Sequence, residues 1–261
     1  MILFNSEVVM YARVTRRTAV VSSVAALILT GGCASNSGSG SMSRASVQNG
    51  AGAMVVNDVA DSAGWRTLFD GRSVAAFRGY RMDTMPSGWH VGAGTLTKSG
   101  SVEDLVTREK FANYELSFEW MLGNGGNSGV FYRVTEEYDR PYWSGPEYQL
   151  LDDAGHPDGK SRLTAAGSAY GLYPAPAGVV KPANQWNTSL LVVNGNHVQH
   201  WMNGQKLLQY DLLSPDWEAK VKASKFGAWP NYGRASTGYI GIQGDHDGVL
   251  SLRNIRIRVL K

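Results

Sequence analysis

The chain has 261 residues, a formal net charge of +3 and 18% charged residues with no long basic run, which argues against nucleic acid as a partner. That length allows one large β domain or two small ones. Its 31 glycines, 8 tryptophans and 12 tyrosines suit a β protein with many turns and flat aromatic surfaces.

The first element is a targeting segment. The stretch RVTRRTAVVSSVAALILTGGC carries Arg13, Arg16 and Arg17, then an apolar run too short to span a membrane, then small residues before Cys33, the single cysteine. The pair Arg16-Arg17 also hints at twin-arginine export. The ending LTGGC resembles a bacterial lipobox, with Thr30 where leucine is more usual. That resemblance implies cleavage before Cys33 and lipidation of its thiol; cleavage at an ordinary signal site is the alternative. Ala34 after Cys33 favours the outer membrane by the same pattern, so the expected location is the cell envelope, with the membrane met only through the lipid. Residues 1–33 are thus read as a signal peptide, 34–63 as a flexible Ser/Gly-rich tether, and 64–261 as one folded domain.

Downstream, YELSFEWML alternates Tyr114, Leu116, Phe118 and Trp120 against Glu115, Ser117 and Glu119, the pattern of a half-buried strand. Between Trp186 and Tyr210, Asn194-Gly195 and Asn203-Gly204 punctuate three apolar strands, which predicts an antiparallel meander. Only Ser214–Ser224 reads as a helix, with Ser214 as N-cap and Pro215 in the first turn. The last strand alternates Ile255, Ile257 and Val259 against Asn254, Arg256 and Arg258. Many strands with regular turn signals predict an all-β sandwich or jelly roll with one short helix.

Alternation also sorts the polar residues. In SGVFYRV it turns Val130, Tyr132 and Val134 inward and Phe131 and Arg133 outward; in PEYQLLDD it turns Glu147 and Gln149 outward. Neighbouring strands would then gather Arg133, Glu147 and Gln149 on one sheet face, either as a sugar-binding constellation or as a solvated face with an incidental ion pair. An ordinary retaining glycosidase needs two carboxyl groups across the scissile bond, for which Glu119 and Glu147 are the candidates. His156, beside Asp152, Asp153 and Asp158, is either part of a metal cluster or a solvated turn. His246, in IQGDHDG between Asp245 and Asp247, suits general base work, although a plain loop histidine fits the same pattern.

Taken together, GWRTLFDGRS, DLVTREKFANYELSFEWMLGNGGNSGVFYRV, EYQLLDD, YGLYPA, QWNTSLLVVNGNHVQHWMNG and GYIGIQGDHDG closely resemble the 3-keto-disaccharide hydrolase family, over about Trp65–Val259 and in the family's order. The family's usual LQDHG stands here as IQGDHDG, with an extra glycine. The resemblance implies a concanavalin A-like jelly roll and an envelope enzyme acting on 3-keto-glycosides supplied by a separate sugar 3-dehydrogenase. It also implies proton abstraction at C2, elimination at C1 and addition of water. His246 is then the leading base, with Glu147 as alternative base or acid. Arg133 and Gln149 would hold substrate oxygens, including the enolate, and Tyr170, Gln243 and Asn127 would add sugar contacts. No cofactor is certain; a divalent metal held by His246 and Glu147 could replace Arg133 as enolate stabiliser. The competing reading is a non-catalytic, lectin-like carbohydrate-binding module, because one jelly roll serves both purposes.

Overall fold

The computed structural model describes residues 60–261. The signal segment, Cys33 and most of the tether lie outside the described residues. Asp61, on the tether side of the expected boundary, accepts from the backbone N–H groups of Ala63 and Trp65 at 2.9 Å and pairs with Arg256.

Five short strands come first: β1 (Trp65–Phe69), β2 (Phe77–Gly79), β3 (Trp89–Gly92), β4 (Thr95–Ser99) and β5 (Leu105–Thr107). Next are β6 (Tyr114–Leu122), β7 (Asn127–Val134) and β8 (Glu147–Leu151). The meander comes after them as β9 (Asn187–Asn194), β10 (His197–Met202) and β11 (Gln205–Asp211). Helix α1 (Pro215–Ala223) precedes β12 (Tyr239–Ile242) and β13 (Val249–Val259). One sheet has the order β11-β10-β9-β6-β13-β4-β3, with β1 also pairing β13; the other has the order β2-β5-β12-β7-β8. Two antiparallel sheets enclosing one core make the expected jelly-roll sandwich.

The core arises from alternation. Along β6 buried and half-buried residues alternate without interruption, and Leu116, Phe118 and Trp120 meet Val130, Tyr132 and Tyr148 from the facing sheet. Several polar groups inside this core are paired, although Tyr114 Oη, Trp217 Nε1 and Tyr232 Oη have no partner among the described residues. Trp120 Nε1–H donates to Ser189 Oγ at 2.9 Å, Tyr148 donates to the Trp201 carbonyl at 3.0 Å, and His200 Nδ1–H donates to the Gly167 carbonyl at 3.0 Å. Burial holds the His200 imidazole neutral by pushing its pKa down to about 3. Helix α1 is capped as expected: Ser214 Oγ accepts from the Trp217 N–H at 3.2 Å, and Trp217 and Val221, one turn apart, are buried. The meander's second turn uses Asn203 and Gly204, both at positive φ, as their Asn-Gly pairing predicts. The first is shifted by one residue: Asn194 pairs with His197, so Gly195-Asn196 occupy the turn.

A bulge overturns the outer end of one predicted strand pattern. Opposite β12, the step from Phe131 to Val134 on β7 matches the shorter step from Gly241 to Tyr239, so β7 carries an extra residue there. Arg133 absorbs it at φ 57°. Beyond the bulge Val134 joins Phe131, Tyr80 and Val106 on the outer face rather than Val130 and Tyr132 in the core. Arg133 itself does not emerge on the outer face as alternation predicts. Its buried guanidinium spans to the β9–β10 turn, donating to the Gly195 carbonyl at 2.6 Å and Asn196 Oδ1 at 3.2 Å, and to the Gly233 carbonyl at 3.3 Å. In β13 the register shifts between Arg253 and Arg256, with Asn254 at φ 52°; Ile255 and Ile257 stay buried, but Val259 is exposed rather than inward.

Arg133 therefore ties two sheets and a loop together. Arg133→Ala is expected to lower unfolding free energy by about 2–4 kcal/mol, because it removes a buried, packed side chain and strands the buried Gly233 carbonyl. Denaturant titration of the variant measures this; a loss below experimental error would contradict the structural role.

Candidate functional site

The outer face of the smaller sheet divides in two. At one end Phe131 and Val134 are covered by Tyr80, Tyr142 and Tyr239. At the other end lies a cavity of about 180 Å³, lined by Asn127, Tyr142, Glu147, Gln149, Asp158, Tyr170, Lys225, Phe226, Gln243, Asp245 and His246. Of the residues predicted for a site, Asn127, Glu147, Gln149, Tyr170, Gln243 and His246 meet here. Arg133 does not, for the reason given by its bulge. Glu119 is also elsewhere: it lies on β6 in the other sheet, paired with Arg253 at 2.7 Å and accepting from Asn254 at 2.6 Å. The glycosidase pair of Glu119 and Glu147 is thereby ruled out by geometry.

Strand pairing sets the cavity floor. Glu147 on β8 lies opposite Phe131 and Gln149 opposite Gly129 on β7. A Cβ on Gly129 would sit 2.0 Å from Glu147 Oε1, so the glycine leaves the space that the carboxyl fills. The neighbouring glycines serve the loop instead: Gly125, at φ 66°, donates its N–H to Asp152 Oδ2 at 2.8 Å, and Asp152 N–H returns to the Gly126 carbonyl at 3.0 Å. In the orientation that satisfies the Gln149 amide, its nitrogen donates to Glu147 Oε1 at 2.8 Å and to the Ser128 carbonyl at 3.2 Å, while its oxygen faces the Asn127 amide at 3.1 Å. Gln243 is buried, and its Oε1 has no partner among the described residues.

Four loops close the sides. The β7–β8 loop and residues 224–233 are joined by Trp143 stacked on Trp229 at 4.3 Å, with Tyr138 against Trp229 and Asn231 donating to Glu137 at 2.9 Å. Tyr142 from one loop and Lys225 and Phe226 from the other reach the cavity. Phe226 ends a column of near-parallel rings through Tyr232, Trp217 and Tyr210 to Tyr173, with successive planes within 9° of each other. The loop after β8 brings Asp158, which accepts from the Tyr170 hydroxyl at 3.3 Å, and Lys225 Nζ lies over the Tyr170 ring at 4.6 Å from its centre.

The fourth loop carries His246. Gly244 is the extra glycine of IQGDHDG, and a Cβ there would meet the Glu103 carbonyl at 2.5 Å. Its N–H donates to Asp104 Oδ1 at 2.7 Å, and its carbonyl accepts from Val102 N–H at 2.9 Å. The insertion is therefore a residue that only glycine fits, and it lays the loop against residues 102–104. Ser101 Oγ donates to the Asp245 carbonyl at 2.8 Å, and Lys98 Nζ to the His246 carbonyl.

Electrostatics divide the titratable groups. Burial pushes the Glu147 carboxyl up to about 8, the acidic Asp245, Asp104 and Asp158 adding to the effect and Lys225 opposing it. Glu147 is thus protonated at neutral pH. Burial also holds His246 below the usual imidazole value, helped by Lys98 and His156 and opposed by Asp245 and Asp158, so it is neutral in the same range. Asp104 is pushed up to about 6, mainly by burial. Among the described residues no three His, Cys, Asp or Glu side chains are grouped as a metal site, so Glu147 and His246 lack a third protein ligand of that kind. Asp153 is turned away, accepting from Ala166 N–H at 2.7 Å and Arg162 at 3.0 Å. Sequence reasoning missed Lys225, Asp104 and Lys98. The first two sit outside any alternating run, whereas Lys98 comes after Leu96 on the inward side of TLTKS and was legible there.

The raised Glu147 pKa carries a stability prediction. Folded and unfolded states bind the proton alike below about pH 4.5, so the carboxyl opposes folding increasingly as pH rises from there to about 8. Glu147→Gln should gain on the order of 2 kcal/mol at pH 8 and almost nothing at pH 4. Denaturation of both proteins at the two pH values checks this, and an equal gain at each would contradict a buried neutral acid.

A sequence profile of the 3-keto-alpha-glucoside-1,2-lyase-like domain matches residues 64–258. A Bacteroides thetaiotaomicron protein named 3-keto-disaccharide hydrolase is 35% identical over 232 residues, covering 77% of this chain and 80% of that protein. Among solved structures, one candidate glycosyl hydrolase of Parabacteroides distasonis aligns with a TM-score of 0.71 at 31% identity, over 76% of this chain and 95% of that one. A second from the same organism aligns with a TM-score of 0.61 at 27% identity, over 75% and 99%. This chain belongs to the 3-keto-alpha-glucoside-1,2-lyase-like domain family and is a hydrolase.

Proposed function

We propose that the chain cleaves 3-keto-glycosides by removing the proton at C2, expelling the substituent at C1 and adding water. The observation that supports this most is the pairing of a neutral imidazole with a protonated carboxyl in one cavity, a base and an acid both set for use near neutral pH. A ketone at C3 acidifies the C2 hydrogen because the electron pair left behind spreads onto the C3 oxygen. His246 takes that proton. The enolate then collapses, C1–C2 becomes a double bond, and the C1–oxygen bond breaks as Glu147 gives its proton to the departing oxygen. Glu147, now a carboxylate, accepts a proton from water as the water oxygen bonds to C1, and the His246 imidazolium returns its proton to C2. One water is consumed and both groups end as they began.

Lys225 takes the part that the sequence suggested for Arg133, offering positive charge to the enolate oxygen. Gln149 and Asn127 hold sugar oxygens, and the unpartnered Gln243 Oε1 accepts from a sugar hydroxyl. The substrate class requires a preceding oxidation at C3, by a sugar 3-dehydrogenase. The lipid anchor implied at Cys33 would set the reaction in the cell envelope.

The test is release of the C1 substituent from a glucoside and from its 3-keto form. Turnover of the 3-keto form alone is expected, with His246→Ala and Glu147→Gln each lowering kcat by roughly two to four orders of magnitude. Rate against pH should be bell-shaped, rising as His246 loses its proton below 6.5 and falling as Glu147 loses its own near 8. Equal turnover of the unoxidised glucoside, or sugar binding with no turnover of either, would overturn the proposal, the latter in favour of a binding module. Gly129→Ala, which drives a methyl into the Glu147 carboxyl, should cost at least about tenfold in kcat while the protein stays folded. Unchanged kcat in that variant would show that the carboxyl position does not matter.

A further inference from the structure

Lys98 occupies a place where a lysine is rarely found. On β4 it comes after Leu96 on the inward face, pairs with Leu250 across the sheet, and is 1% exposed. Its ammonium has left water to reach the loop between β12 and β13, donating to the His246 carbonyl and, at 3.2 Å, to the Gly100 carbonyl. Asp104, Asp245 and Asp247 supply the surrounding negative charge. A buried cation is expensive unless it is paired, and an apolar side chain would suit the core better, so a reason beyond packing is required.

We propose that Lys98 is a positioning residue for His246: its ammonium fixes the loop that carries the imidazole and opposes a second positive charge there. This rests on His246 being the base in the reaction proposed above. One side chain has two effects. The bond to the His246 carbonyl holds the middle of a loop whose flanks are tied by Ser101 Oγ at the Asp245 carbonyl and by Gly100 N–H at the Gly248 carbonyl. The positive charge, acting with His156 against Asp245 and Asp158, keeps the imidazole able to accept a proton. Lys98 does not line the cavity and touches no substrate, so its influence falls on the proton transfer and leaves binding alone.

The test compares Lys98→Met, which removes both donor and charge, with Lys98→Gln, which keeps an N–H donor and loses the charge. In both, the acid limb of kcat/KM should move up by about half a pH unit or more, because His246 faces Asp245 and Asp158 without the opposing cation. In Lys98→Met, kcat should also fall at least about tenfold while KM changes less than about twofold. Titration of the His246 imidazole by NMR in each folded variant should show the same upward shift independently of activity. An unmoved limb and an unmoved imidazole titration would overturn the proposal, as would loss of the fold in both variants, which assigns Lys98 to stability. His246→Ala is run alongside: full activity there refutes the base assignment, whereas its inactivity together with an unshifted Lys98→Met refutes only the role of Lys98.

Discussion

Glu147 holds a carboxyl group out of water without an ion pair among the described residues, and the neighbourhood is built around tolerating it. An isolated carboxylate there would cost several kcal/mol, so the group keeps its proton. That choice propagates. Gly129 must lack a side chain to give the carboxyl room, Gln149 must present an amide to it, and four loops must keep water from the face on which it stands. The smaller sheet is therefore buried on both sides, which explains why β7 and β8 are buried throughout while β6 in the other sheet alternates.

The cavity mixes strands and loops in a definite way. Glu147 and Gln149 rise from paired strands whose register is fixed by the core below, which limits their motion to side-chain rotation. Lys225, Asp158 and Tyr142 come from loops held by aromatic contacts and hydrogen bonds. Glu147 and Gln149 thus form the rigid part of the cavity and His246 sits on a pinned loop, whereas most of the remaining lining comes from longer loops.

Much of this was legible from the residues themselves. Period-two alternation found the sheets and turned Glu147 and Gln149 outward, and capping chemistry found α1. Alternation could not see Arg133, a single residue at positive φ that changes the facing of Val134 beyond it. An arginine at φ 57° has no local signal, because the conformation is forced by the close approach of Gly238, where a Cβ would sit 2.5 Å from the Arg133 carbonyl carbon. Lys225 and Asp104 were hidden for a different reason: one enters the cavity and the other braces Gly244 behind it, both from loop paths that no local periodicity encodes.

The tie from Lys98 to the His246 carbonyl runs between the two sheets, from β4 in the larger to the loop leaving β12 in the smaller. The imidazole is consequently placed by the thickness of the sandwich, which Leu96, Leu250 and their neighbours determine by their volume. Core and site do not evolve independently in such an arrangement. A bulkier or smaller residue deep in the interior would shift the wall of the cavity as well as alter folding, so hydrophobic positions and cavity residues are coupled through the architecture.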